Sequence, residues 1–336
     1  MLLKDYRVSL KNALLDLAWS QWITLGVAGH AKEYTACVID IEALILFTTF
    51  IGQYDQRLFD SMQDWLQKNG RFVNIQRLTN LQKNNEFKKK DILAYIAGNL
   101  VSFESKIKWE KLAQNQKNGT DTRQLFRDSS VINGQATDQT ALQYGFIRNP
   151  YKYSGKQNSF YTRNPAALQL KLRGFFGVNS RAEVMLQLLS HDYCKNQEIA
   201  QGSGFSWRSI QDILFEMTFS GVVSATESRK SRLYRLTEID HWKKLLGFPS
   251  VYAIKFPRWC NIFFSLEKIY YALENPKLDL VSELSVKGIV EQTFQHIGTN
   301  LLECGIHHLQ DISSNNYLDI PNRIDAMIMQ VWNQIK

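Results

Sequence analysis

Between residues 206 and 211 the chain sets Ser206, Trp207, Arg208, Ser209 and Gln211 almost side by side. Arginine carries a rigid fork of donors that fits paired acceptors, and glutamine offers a donor and an acceptor on one edge. Serine hydroxyls can hold an anionic oxygen, and tryptophan adds a flat apolar surface. A cationic group, Arg229, Lys230 and Arg232, follows shortly after. Such side chains can grip phosphates and read the donor and acceptor pattern along a purine edge. To do so, the first group must sit at the start of a helix and the second at an exposed tip.

Other residue sets suggest other chemistry. Asp91 with Glu104 and Lys106 has the composition of a Mg²⁺-dependent nuclease, two acids holding the ion while a lysine assists the attacking water. That needs Glu104 and Lys106 on a strand beside Asp91, whereas the local pattern reads as helix or loop. Cys304 and His307 have ligand-like spacing, with His296 and His308 near them, but structural zinc normally needs a second paired motif. No metal and no cofactor is expected. There is no GxxxxGK[ST], nucleophile elbow or HExxH, so no enzyme is expected either. Arg148, Tyr151, Lys152, Tyr153, Lys156, Phe160, Tyr161 and Arg163 interleave bases with aromatics. They either lie along a nucleic-acid strand or pin a loop onto its neighbour.

The elements that must position the first group are written into the residues around it. Ala200 is small enough for two helices to cross closely, Gly204 suits a tight turn with positive φ, and Ser206 is a natural N-cap. Ile210, Ile213, Leu214 and Met217 then recur at helical spacing, and Gly221 marks the stop. Upstream, residues 180–189 supply a preceding helix, with Ser180 and Glu183 as a capping box. Downstream, 222–226 and 232–237 read as two strands around a polar turn. This pattern over residues 166–246 resembles the winged helix-turn-helix of MarR-type bacterial transcription regulators. The resemblance implies that Arg208 and Gln211 face base edges in the major groove of double-stranded DNA. It implies that Ser206 and Ser209 hold a phosphate, that Trp207 packs on the hairpin or the sugar backbone, and that Arg229, Lys230 and Arg232 follow phosphates. It also implies a homodimer acting as a transcriptional regulator by occupying an operator. Acidic Asp212, Glu216 and Glu227 dilute the positive face, and a protein–protein adaptor on the same fold is the alternative.

Outside this region the reading is coarser. A formal charge of +8 over 336 residues favours a polyanionic partner. The four cysteines have no paired spacing, which argues against a disulfide framework. The first residues lack a signal-peptide pattern, and the apolar run 43–52 is too short to span a bilayer. A cytoplasmic protein with no membrane partner is expected. The fold class is mainly α. Residues 1–103 form a helical interaction or dimerisation region, with helices near 10–18, 40–50 and 55–69. Residues 104–165 are a polar connector with a short helix near 122–127. Residues 166–248 are the winged helix-turn-helix, its entry helix 165–176 exposing Lys171 and Arg173. Residues 249–336 are again helical, near 259–273, 285–302 and 321–335. The flanking helices would supply the dimer contact and a pocket for an unknown small-molecule or protein effector.

Overall fold

The computed structural model describes residues 3–29, 37–101, 106–114, 122–127, 137–158, 160, 164–228, 231–275, 278, 282–304, 306, 324–325 and 328–329. Among them the chain is mainly helical, with two small sheets. The order begins with α1 (Leu3–Thr24), α2 (Ile41–Ile51), α3 (Gln56–Asn69), α4 (Ile75–Asn84), α5 (Lys90–Val101) and α6 (Lys106–Gln114). It continues through β1 (Arg123–Gln124), α7 (Gln139–Gln143), β2 (Phe146–Ile147), α8 (Leu168–Phe176), α9 (Ser180–Ser190), β3 (Cys194–Lys195) and α10 (Asn196–Ser203). After these come α11 (Trp207–Phe219), β4 (Val223–Ser228), β5 (Ser231–Leu236), α12 (Ile239–Leu245), α13 (Trp259–Glu274) and α14 (Glu283–Glu303).

Two apolar cores organise these elements. The first gathers α1 to α7 with α13 and α14. At its centre lies α2, every residue of which is buried. A helix that is apolar all round must be enclosed on all sides, and α13 closes one of them by stacking Phe263 on Phe47 with ring centres 4.4 Å apart. Asp40 starts α2 by accepting the Ala43 amide, and Asp55 and Asn74 do the same for α3 and α4. The second core joins α8 to α12 with the sheet β3-β5-β4, in which both neighbouring pairs are antiparallel.

The cores meet over a fully buried charge cluster. Arg77 of α4 forks onto both oxygens of Asp40 at 2.6 Å and reaches Glu42 at 2.6 Å. Arg173 of α8 binds both oxygens of Glu42, at 2.6 and 2.7 Å, and Glu183 of α9 at 2.6 and 2.8 Å. Gln169 donates to the other oxygen of Glu183, and the Asn74 amide donates to Glu42. Burial alone would push the Glu42 carboxyl up. Arg173 and Arg77 outweigh that and hold it below the usual carboxylate range. Arg173 is therefore not exposed as the sequence reading has it. Helix α8 is covered on two sides, and its basic residue points inward to acids on α2 and α9. Glu183 is likewise drawn into the cluster instead of capping α9, which Asn179 caps by accepting the Arg181 amide.

Two further expectations meet a different structure. Residues 122–127 hold no helix. Arg123 and Gln124 pair in parallel with Phe146 and Ile147. Within the stretch read as a polar connector, Arg148 is buried and forks onto Asp60 at 2.7 and 2.8 Å, while the Tyr151 hydroxyl donates to Asp64 at 2.6 Å. These bases and aromatics fasten the segment to α3. Tyr161 and Arg163 lie outside the described residues.

One buried acid in the first core is unlike the rest. Among the described residues, neither oxygen of Glu267 on α13 has a side-chain hydrogen-bond partner. Burial raises its carboxyl to about 7, against the opposing charges of Lys89, Lys268 and Lys88 and the Lys88 backbone. A carboxyl that binds its proton more tightly when folded makes stability fall as pH rises from about 4.5 towards 7. Glu267→Gln is therefore expected to raise the thermal midpoint at pH 8 and to leave it nearly unchanged at pH 5. An equal shift at both values would mean that the carboxyl does not titrate in this range.

Candidate nucleic-acid interface

The interface is built from the turn outward. Helix α10 ends at Gly204, whose φ of +74° lies in the left-handed region where a side chain is strained. A Cβ here would also come within 2.9 Å of Leu81 on α4. The turn is held to that helix by polar bonds. Arg77 donates to the Ser203 carbonyl at 2.8 Å, and Asn80 donates to the Gly204 carbonyl at 3.0 Å. Ser206 then caps α11 by accepting the Ser209 amide at 3.2 Å. Ile210, Ile213, Leu214 and Met217 face the second core.

This leaves Trp207, Arg208, Gln211, Asp212, Phe215, Glu216 and Phe219 exposed along α11. Ser209 is half-buried, and the Ser206 hydroxyl is engaged as the cap. Arg208 makes no ion pair among the described residues. Glu216 is paired with Arg181 of α9. The far half of the face is apolar, with Phe215 and Phe219 71% and 89% exposed. The periodicity of buried residues is silent about this stripe, because it shows only which face turns inward.

The β4–β5 ladder stands beside α11. Arg232 is exposed on β5, opposite Glu227 of β4, with its guanidinium 5.8 Å from the Tyr234 ring. Arg229 and Lys230 lie outside the described residues. Sequence reasoning passed over Arg235, which is also exposed and bonds Tyr193 at 3.1 Å and Ser224 at 3.2 Å. Its signal was present: Arg235 stands between the inward Tyr234 and Leu236 on a strand whose residues alternate.

A cleft of about 530 Å³ opens behind the turn, between α10 with the start of α11 on one side and α4, α13 and α14 on the other. Trp207 lines it, and no described residue of the hairpin is among its walls. Trp207 thus borders the space between the turn and α4, α13 and α14. Burial raises the Cys194 thiol in the cleft wall to about 12 and the Cys260 thiol well above its ordinary value, so neither is a thiolate near neutral pH.

The remaining candidates are scattered. Asp91 is paired with Arg123, Lys106 begins a helix, and Glu104 lies outside the described residues. Among the described residues no three His, Cys, Asp or Glu side chains gather to hold a metal ion. His307 and His308 fall outside them. Among the described residues no helix is long and apolar enough to cross a membrane. No protein-family model, curated protein or solved structure matches this chain.

Proposed function

We propose that residues 166–248 form a winged helix-turn-helix that binds double-stranded DNA, with α11 as recognition helix and β4–β5 as wing, in a homodimeric transcriptional regulator. The observation that carries this reading is the first turn of α11. It is capped by Ser206, projects Arg208 and Gln211 outward, and stands beside a ladder bearing exposed Arg232 and Arg235. Support also comes from the order helix, strand, helix, helix, two strands, with β5 in the middle of the sheet. Arg208 and Gln211 read base edges, and the basic residues of the wing hold phosphates.

A protein–protein adaptor is the second reading, favoured by exposed Phe215 and Phe219 and by Asp212 on the same face. Fluorescence anisotropy over a salt series, on a duplex selected from a random library and on an unselected one, separates the two. Arg208→Ala should cost ~1–3 kcal/mol on the selected duplex and far less on the other. The triple alanine variant of Arg229, Lys230 and Arg232 should weaken both alike, and the slope of log K against log salt should shrink by about 0.9 for each phosphate no longer neutralised. If neither variant alters binding, or the wild type binds no duplex at near-physiological salt, the adaptor reading replaces this one. Light scattering should give twice the 39.0 kDa chain mass. A monomer at micromolar concentration would remove the two-fold operator.

A further inference from the structure

We infer that the cleft between α10 and the helical body binds a neutral purine nucleoside, and that its occupancy regulates the DNA binding proposed above, on which the regulatory half of this inference rests. The volume, about 530 Å³, is in the range of small-molecule sites. The charged groups in its walls already have partners: Arg77 with Asp40, Arg258 with Glu303 at 2.8 Å, and Glu198 with the Lys195 amide. A charged ligand therefore finds no counter-ion among the described residues. What the walls offer instead is carboxamides, from Asn84, Gln187, Gln197, Gln201 and Asn300, beside the aromatic planes of Phe205 and Trp207. An amide presents a donor and an acceptor together, which matches the edge of a purine, and the rings suit a flat heterocycle.

Gln187 is the most enclosed of these amides. It is only 6% exposed and lines the cleft. It lies against Gly202 of α10, where a Cβ would come within 2.5 Å of its Nε2. The glycine thus leaves room for the amide to reach the cleft. Trp207 belongs both to the cleft and to the first turn of α11, so a ligand stacked on it competes with DNA for the same side chain.

Calorimetric titration of the full chain with adenosine, without DNA, tests the site. Saturable binding is expected, weakened by about tenfold or more in Gln187→Leu and in Gly202→Ala. Gly202→Ala should keep the wild-type thermal midpoint, because the atom that must move is the end of a flexible side chain. Adenosine monophosphate should bind no better than adenosine. No heat at millimolar adenosine, wild-type binding in both variants, or tighter binding of the monophosphate would each overturn the site. Saturating adenosine should also weaken duplex binding by about threefold or more, and DNA should weaken adenosine binding by the same factor. A duplex that binds equally well with and without adenosine would overturn the regulation. A protein that binds adenosine with these sensitivities but binds no duplex would sink the DNA reading and leave the site standing. One that binds the duplex but not adenosine would sink the site alone.

Discussion

Arg173→Leu is expected to lower the unfolding free energy at pH 7 by about 3–5 kcal/mol. The guanidinium neutralises Glu42 and Glu183 at once, and all three side chains are out of water. Leucine fills much of the space but leaves two buried carboxylates without that charge. The pH dependence identifies the cause. In the wild type, Arg173 and Arg77 hold the Glu42 carboxyl low, so its contribution is in place above about 4.5 and is lost as pH falls further. In the variant, the Glu42 carboxyl loses one of the two charges that hold it low and takes up its proton more readily, and the gap to wild type should narrow between pH 7 and pH 5. Urea unfolding at both values measures this. A gap of the same size at both would attribute the loss to packing and not to charge.

The second large effect is expected at Gly204. Valine there meets a positive φ, which costs roughly 1–3 kcal/mol, and also drives its Cβ to within 2.9 Å of Leu81. Overpacking of that kind adds roughly another 1–3 kcal/mol. Gly221 supplies the control, since its φ is +76° but no described atom lies within 4 Å of the added carbon. Gly221→Val should show the backbone cost alone. The difference between the two variants, read from denaturant midpoints, then reports how firmly the turn is pressed onto α4. Equal losses would mean that the turn and α4 yield to each other freely.

How much of this was legible in the sequence follows from the range of each force. Gly204, the Ser206 cap and the inward Ile210, Ile213, Leu214 and Met217 act within a turn or two of themselves, and the sequence reading of them agrees with the structure. The two strands after α11 were legible through alternation and their polar connection. The charge cluster was not, because Glu42 and Arg173 are 131 residues apart and no periodicity links them. A trace of it exists all the same. Glu42 interrupts a helix otherwise apolar on every face, and an acid so placed demands a partner from elsewhere. The strands at 123–124 and 146–147 are too short to show alternation. The cleft is made by packing one core against the other, and neither half announces it alone. The exposed Phe215 and Phe219 answer to no rule of folding.

The cluster also bears on how the chain is made. Synthesis runs from the N-terminus, so α2 leaves the ribosome long before α13, which closes one of its sides. Its acid must wait 131 residues for Arg173, and Phe47 must wait longer still for Phe263. Until then the nascent chain holds Asp40 and Glu42 against Arg77 alone, on a helix with no apolar partner for one whole side. The first core cannot close in the order in which it is translated. Its completion is set by the last third of the chain, and a ribosome stalled before α13 would leave one apolar side of α2 uncovered.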